Sequence, residues 1–277
     1  MTRSVRRTRR MLQLAGAGAA ALMALSACSS SDHSTKPSKP SKPDASSSAS
    51  TKLSGDINVF AAASLKESFT ALGKEFEKAH PGTKVNFNFG GSDTLAASIT
   101  GGAPADVFAA ASPKTMAIVT DKQDATGTPA TFVRNQLEIA TLPGNPDKVA
   151  SLKDLTKSGL KVVLCDKTVP CGAAAQKALD ASKLKLTPAS YEEDVKSALN
   201  KVVLKEADAA VVYKTDVKAA GGKVEGVEFP ESAKAINDYP IALLKSTKNA
   251  ETAKAFIALV QSAEGQKVLS EAGFLKP

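Results

Sequence analysis

From Asp56 onward, short apolar runs alternate with amphipathic stretches. Asp56–Ala61 is apolar and β-prone, and Leu65, Phe69, Leu72 and Phe76 recur at helical spacing, which predicts a helix over Leu65–Ala79. Lys84–Phe89 alternates as a strand does. Leu95–Thr100 reads as a helix closed by Gly101-Gly102, and Val107–Ala110 as a buried strand. Leu137–Leu142 and Lys161–Cys165 predict strands, Gly172–Leu179 and Tyr191–Lys201 helices, and Ala209–Tyr213 and Tyr239–Leu244 two more strands. Thr252–Leu269 reads as one long final helix. Pro81-Gly82, Pro143-Gly144 and Pro230 punctuate the joints, and no internal repeat is visible. Strands alternating with helices predict an α/β fold with parallel sheets. About 220 residues suffice for a substantial core and two small lobes.

The pattern before Asp56 is different. Arg3, Arg6, Arg7, Arg9 and Arg10 precede an apolar run from Met11 to Leu25, and small residues lead into Cys28. Basic, apolar and small-residue segments in that order read as an export signal over 1–27. The run is about fifteen residues, short of the roughly 20 that span a bilayer. Leu25-Ser26-Ala27-Cys28 resembles a bacterial lipobox, in which Cys28 becomes the lipidated first residue of the mature chain. The plainer alternative is an ordinary cleaved signal with an incidental Cys. The paired arginines leave the general and twin-arginine export routes both open. From 28 to 55 the chain is mostly Ser, Lys, Pro, Ala and Thr, with Lys-Pro-Ser units at 36–38 and 39–41. Such a stretch buries too little apolar surface to offset its ordering entropy and reads as a disordered tether; its lysines can also face anionic lipid. The export signal predicts a protein outside the plasma membrane, and the lipobox resemblance implies that lipid on Cys28 holds it to the outer face.

Charge narrows the function classes. The chain has 36 basic and 28 acidic residues, a net +8. The export segment holds five Arg, and the tether to Gly55 holds four Lys against two Asp, which leaves 27 basic and 26 acidic residues from Asp56 onward. The body is therefore near neutral, with one Arg (Arg134), no Trp and no basic patch interleaved with aromatics, so nucleic acid is not an expected partner. Enzyme chemistry finds little support. His80 is the one histidine of the body and sits in a turn, Gly-x-Ser-x-Gly is absent, and Cys171 has no evident base. No resident metal or other cofactor is expected. Cys165 and Cys171 flank a short loop, and in an exported protein they read as a disulfide. Two reduced thiols or a metal pair are the alternatives.

Candidate chemistry lies at helix starts. Ser64 opens the first helix with Glu67 three residues on, a capping-box spacing. Phe89-Gly90-Gly91-Ser92 ends the second strand and places Ser92 at another helix N-cap. Unpaired amides and a positive dipole end suit an anion, so two such ends with serine hydroxyls can donate to one tetrahedral oxyanion without Lys or Arg. The spacing alone equally fits two serines that only cap helices.

Longer stretches carry a resemblance. Asn58-Val59-Phe60-Ala61-Ala62-Ala63-Ser64-Leu65, Phe89-Gly90-Gly91-Ser92, Gly102-Ala103-Pro104-Ala105-Asp106-Val107-Phe108, Val169-Pro170-Cys171-Gly172 and Ala210-Val211-Val212-Tyr213 resemble segments of the molybdate-binding proteins, extracytoplasmic receptors of molybdate importers. Tyr239-Pro240-Ile241-Ala242 and Ser262-Ala263-Glu264-Gly265-Gln266 resemble that family's closing segments. The matches run in family order over nearly all of the body. The resemblance implies a type II periplasmic-binding-protein fold, with lobe one from 56–134 and 238–277, lobe two from 135–237, and two crossing hinge strands. It implies molybdate or tungstate as ligand, an ABC importer permease as partner, and a monomer. Carried over by position, the ligand contacts are the hydroxyls and amides of Ser64 and Ser92 from lobe one. Lobe two adds the amides of Cys171 and Val195 and the phenol of Tyr213. Two positions depart from the family. Cys171 stands where a small residue such as Ala is usual, which an amide contact survives. Asp93 stands where a small neutral residue is frequent, and a carboxylate beside a dianion is unfavourable unless it points outward. Sulfate, then phosphate, are the runner-up ligands; an adhesion lipoprotein or an enzyme are the alternatives of other classes.

Overall fold

The β-prone runs assemble into two five-stranded sheets. The computed structural model describes residues 53–277; the export segment, Cys28 and the tether as far as Lys52 lie outside the described residues. In chain order the first part comprises β1 (Gly55–Ala62), α1 (Lys66–Ala79), β2 (Thr83–Gly90), α2 (Ser92–Thr100), β3 (Val107–Ala109), α3 (Pro113–Asp121) and β4 (Ala125–Asn135). The chain continues through β5 (Leu137–Thr141), β6 (Val162–Cys165), α4 (Pro170–Ala181), β7 (Ser190–Glu192), α5 (Val195–Val203), β8 (Ala209–Tyr213), α6 (Lys214–Ala220) and β9 (Glu225–Val227). It ends with β10 (Asn237–Leu244), α7 (Ala250–Gln261) and α8 (Ala263–Glu271).

Sheet one has the order β2-β1-β3-β10-β4 and sheet two β7-β6-β8-β5-β9. The expected parallel sheets are in fact mixed. β1 runs parallel to β2 and β3, and β6 to β7 and β8, but β10 is antiparallel to β3 and β4, and β5 to β8 and β9. The antiparallel strands are those next to the places where the chain passes between sheets. Passage occurs at Gln136, between β4 and β5, and again ahead of β10, where Asn237 pairs with Asn135. Each sheet has its own core. Ile57, Val59 and Ala61 alternate out of β1 onto Phe69, Phe76, Phe132 and Phe256, while Phe60 faces the opposite layer with Leu95, Phe108 and Met116. Sheet two packs around Leu137, Ile139, Val163, Val211 and Leu199.

Several element boundaries differ from the sequence reading, each for a local reason. Ser64 is not an N-cap and makes no capping box. It sits inside a 3-10 turn, Ala63–Leu65, and the residue before α1, Leu65, has near-helical angles and no side-chain cap. Ser92 is the first residue of α2 rather than its cap, which is Gly91. The helix expected over Tyr191–Lys201 begins at Val195, because Ser190–Glu192 pairs with β6 and Asp194 caps α5 by accepting from the amides of Lys196 (2.7 Å) and Ser197 (2.9 Å). The long final helix is two. Ser262 leaves the helical region (φ −68°, ψ 167°) and accepts from the Gly265 amide at 3.1 Å, starting α8. A Cβ on Gly265 would lie 2.1 Å from the Leu259 carbonyl oxygen, so that corner depends on glycine.

Cys165 and Cys171 are joined in a disulfide with Cα atoms 5.8 Å apart. The bond folds the 166–170 loop onto the start of α4, where a Cβ on Gly172 would lie 1.9 Å from the Asp166 carbonyl oxygen. Closing so short a loop restricts the unfolded chain by roughly 2 kcal/mol in the chain-entropy model. Cys165→Ser is accordingly expected to lower the melting temperature by about 5 °C for a domain of this size. Mass spectrometry without reductant and thermal melts of the two forms test this together. Free thiols at both positions, or superimposable melts, contradict it.

Candidate functional site

Three helix starts, a 3-10 turn and a strand end meet at one small cavity. Ser64, from the turn after β1, and Gly91-Ser92, at the start of α2, line it from sheet one; Pro170-Cys171 at the start of α4, Val195 at the start of α5 and Tyr213 at the end of β8 line it from sheet two. All five residues singled out in the sequence therefore face the same space. Its volume is about 20 Å³, so the cavity suits one compact group rather than an extended ligand. No Lys, Arg or His lines it. Asp194 is the one carboxylate on its wall, and that carboxylate is taken up in capping α5. Asp93 is not among the lining residues.

The local backbone explains why amides are available. The first turn of a helix leaves its N–H groups without intrahelical partners and carries the positive end of the dipole. In α4, Pro170 occupies the first position, where its missing N–H costs nothing, and Cys171 follows. In α5, Asp194 satisfies the amides of Lys196 and Ser197 and leaves that of Val195 uncapped by its side chain.

Hydrogen bonds behind the wall set the direction of each hydroxyl. The Ala111 amide donates to Ser92 Oγ at 3.0 Å. A serine that already accepts keeps its one proton to donate elsewhere. Asn237 Nδ2 donates to Tyr213 Oη at 2.7 Å and to the Pro170 carbonyl at 3.2 Å, which frees the Tyr213 proton in the same way. Ser64 Oγ lies 2.9 Å from Tyr239 Oη, which also accepts from Asn135 Nδ2 at 3.3 Å. With Tyr239 donating to Ser64, the Ser64 proton is available as well. Burial raises both phenols well above the usual tyrosine range, with the neighbouring tyrosine adding to the effect at Tyr213, so both stay protonated donors at neutral pH. Asn135, Asn237, Tyr239 and Ala111 were missed by the sequence reading. The two asparagines are a register pair at the passage between sheets, and nothing in their sequence neighbourhoods marks them.

A second charged group lies beside the cavity. Lys196 places its ammonium 3.0 Å from Asp216, which is fully buried, and 2.9 Å from Glu67 on α1. Asp216 also accepts from the Tyr213 amide at 3.2 Å. Burial pushes the Asp216 carboxyl up to about 6 although Lys196 pulls the other way. Burial works against the Lys196 charge, but the two carboxylates outweigh it and raise the ammonium above its usual value. A carboxyl whose folded pKa is raised favours the folded state when protonated. That contribution is full below about 4, the unfolded value, and is lost as pH rises through about 6. Wild type should therefore lose stability relative to Asp216→Asn between pH 4 and pH 6 and hold a constant difference above pH 7. Melting curves of both proteins across that range test it, and parallel curves throughout contradict it.

The family model for bacterial extracellular solute-binding proteins matches residues 57–275. The molybdate-binding protein ModA of Mycobacterium tuberculosis (strain ATCC 25618 / H37Rv) is 43% identical over 233 residues, which cover 84% of this chain and 89% of ModA. Among solved structures, a substrate-binding domain assigned to a molybdenum ABC transporter of Clostridium difficile is 31% identical, with a TM-score of 0.61 over 81% of this chain and all (100%) of that one. The periplasmic molybdate-binding protein of Azotobacter vinelandii superposes with a TM-score of 0.70 over 80% of this chain and 99% of its own. At 22% identity it speaks for the two-lobe α/β fold alone. By its matched length and its identity to ModA, the chain belongs to the bacterial extracellular solute-binding proteins and is ModA-like.

Proposed function

We propose that this protein is the extracytoplasmic receptor of an ABC importer that binds molybdate, and tungstate with it, between its lobes, and that lipid on Cys28 holds it at the outer face of the plasma membrane. The observation that carries this reading is a cavity walled by hydroxyls and helix-start amides with no cationic side chain. The relatives named as molybdate-binding proteins favour that ligand among the oxyanions.

Ser64, Ser92 and Tyr213 donate hydroxyl protons, and Ser64, Ser92, Cys171 and Val195 donate backbone amides. A wall made of donors matches a fully deprotonated dianion, which accepts on every oxygen. It mismatches a protonated phosphate, which needs an acceptor for its own proton. Sulfate is the second reading, because its charge and shape equal those of molybdate and only size separates them. The lobes, 56–134 with 238–277 and 135–237, close on the anion about the passages near Gln136 and Asn237, and the closed monomer is the form that the permease receives. Chemistry on the ligand has no place here. Cys171 is tied to Cys165, and His80 packs on Phe76, with ring centroids 4.7 Å apart.

Calorimetric titration with molybdate, tungstate, sulfate and phosphate tests the ligand. Tight binding of the first two is expected, and preference for sulfate or phosphate refutes the assignment. A hydrogen bond to a charged group contributes about 1.5–3 kcal/mol. Ser64→Ala and Ser92→Ala should each weaken molybdate binding roughly ten- to a hundredfold; wild-type affinity in both would move the site elsewhere.

The anchor has its own test. Cys28→Ala should release the protein from the membrane fraction or block its processing. A membrane-bound, lipid-labelled product from that variant contradicts the lipid assignment.

A further inference from the structure

Gly91 lines the cavity from lobe one, opposite Glu193 of lobe two. Its backbone angles, φ −59° and ψ 130°, are open to any L-residue, so conformation does not call for glycine there. Space does. A Cβ at Gly91 would lie 2.7 Å from the Glu193 carbonyl oxygen and 2.8 Å from Asp93 Oδ1. The neighbouring Gly90 is under no such constraint, since a Cβ there would meet nothing nearer than Leu95 at 3.8 Å.

The two close neighbours differ in what they can do. Asp93 presents the end of a side chain, which can swing aside. The Glu193 carbonyl is backbone of the opposite lobe, pinned on both sides. The carbonyl of Glu192 accepts from the Asp166 amide at 2.8 Å. Asp194 is locked as the cap of α5 by bonds of 2.7 and 2.9 Å to the Lys196 and Ser197 amides. With that loop held, a methyl group at 91 is relieved by parting the lobes. Ordinary contact begins near 3.4 Å, so the parting is about 0.7 Å, enough to stretch hydrogen bonds from the far lobe past their useful range.

We propose that Gly91 is a positioning residue for ligand capture. Its missing side chain lets the lobes close until the amides of Cys171 and Val195 reach an anion already held by Ser64 and Ser92. The residue touches the opposite lobe and acts on the anion through it. This inference rests on the oxyanion reading above, and its test keeps the two apart.

Molybdate is titrated into wild type, Gly91→Ala and Gly91→Val, and all three are melted without ligand. Unliganded melting temperatures should agree closely, because the angles at 91 accept either side chain and the lobes, with no anion to hold, part to make room for it. The dissociation constant should rise roughly tenfold or more in Gly91→Ala and further in Gly91→Val, mainly through faster release. Wild-type affinity in both variants overturns the proposal, as does an affinity loss matched by a loss of unliganded stability. A wild type that takes up no molybdate refutes the oxyanion reading instead. The crystal structure of Gly91→Ala then decides the closure role without ligand. Lobes set further apart along the 91–193 seam support it, and lobes unmoved with the Glu193 carbonyl in place overturn it.

Discussion

The oxyanion site proposed here rests on one constraint, that a doubly charged anion be held away from water without a cation. An ion loses its hydration on burial and must find equivalent partners in the protein. Neutral donors can supply them only in number and only if already aimed. The supply here is the starts of α2, α4 and α5 and the 3-10 turn at Ser64, brought to one small cavity, with first-turn amides that a helix itself cannot satisfy. The α/β architecture makes this possible. In each sheet, parallel strands deliver chain ends to the same edge, and a helix leaves from each end. Ser64 and Ser92 follow β1 and β2, while Cys171 and Val195 follow β6 and β7.

Direction matters as much as number. A hydroxyl can point its proton anywhere, and pointing it costs entropy unless something else fixes it. The Ala111 amide occupies the acceptor side of Ser92, and Asn237 occupies that of Tyr213. Asn135 and Tyr239 stand behind Ser64. Because Asn135 and Asn237 pair where the chain passes between sheets, the groups that orient the donors sit at the pivot of any lobe movement. Donor orientation and hinge geometry are therefore one network.

The seam beside the cavity balances attraction against steric limit. Lys196, next to the Val195 amide and seated on buried Asp216, reaches Glu67 on the other lobe. That pair is partly exposed, so its contribution is modest. Gly91 sets how near the backbones can come. Closure depth then follows from a missing side chain more than from a strong bond, which suits a receptor that must also release its ligand.

Periodicity was enough to read the α/β class, most strands and the presence of α1, because Leu65, Phe69, Leu72 and Phe76 share one helical face whatever they pack against. Ser64, Ser92, Cys171 and Tyr213 were legible in segments resembling a known family, Val195 followed by position, and the Cys165–Cys171 pair was legible from its short loop in a chain read as exported. Other features were not. The strand β4, with Gly127 and Pro129 and a largely exposed face, carries too little apolar pattern to stand out, and α3 went unread. Ser64 and Ser92 looked like caps because cap propensity is local, whereas their actual partners, Tyr239 and the Ala111 amide, lie 175 and 19 residues away. Residue type and spacing thus determined the class of fold and which side chains can donate to an anion. Tertiary structure alone decided which asparagine aims which hydroxyl, and that Gly91 meets Glu193, because those contacts join segments from 24 to 104 residues apart that only folding brings together.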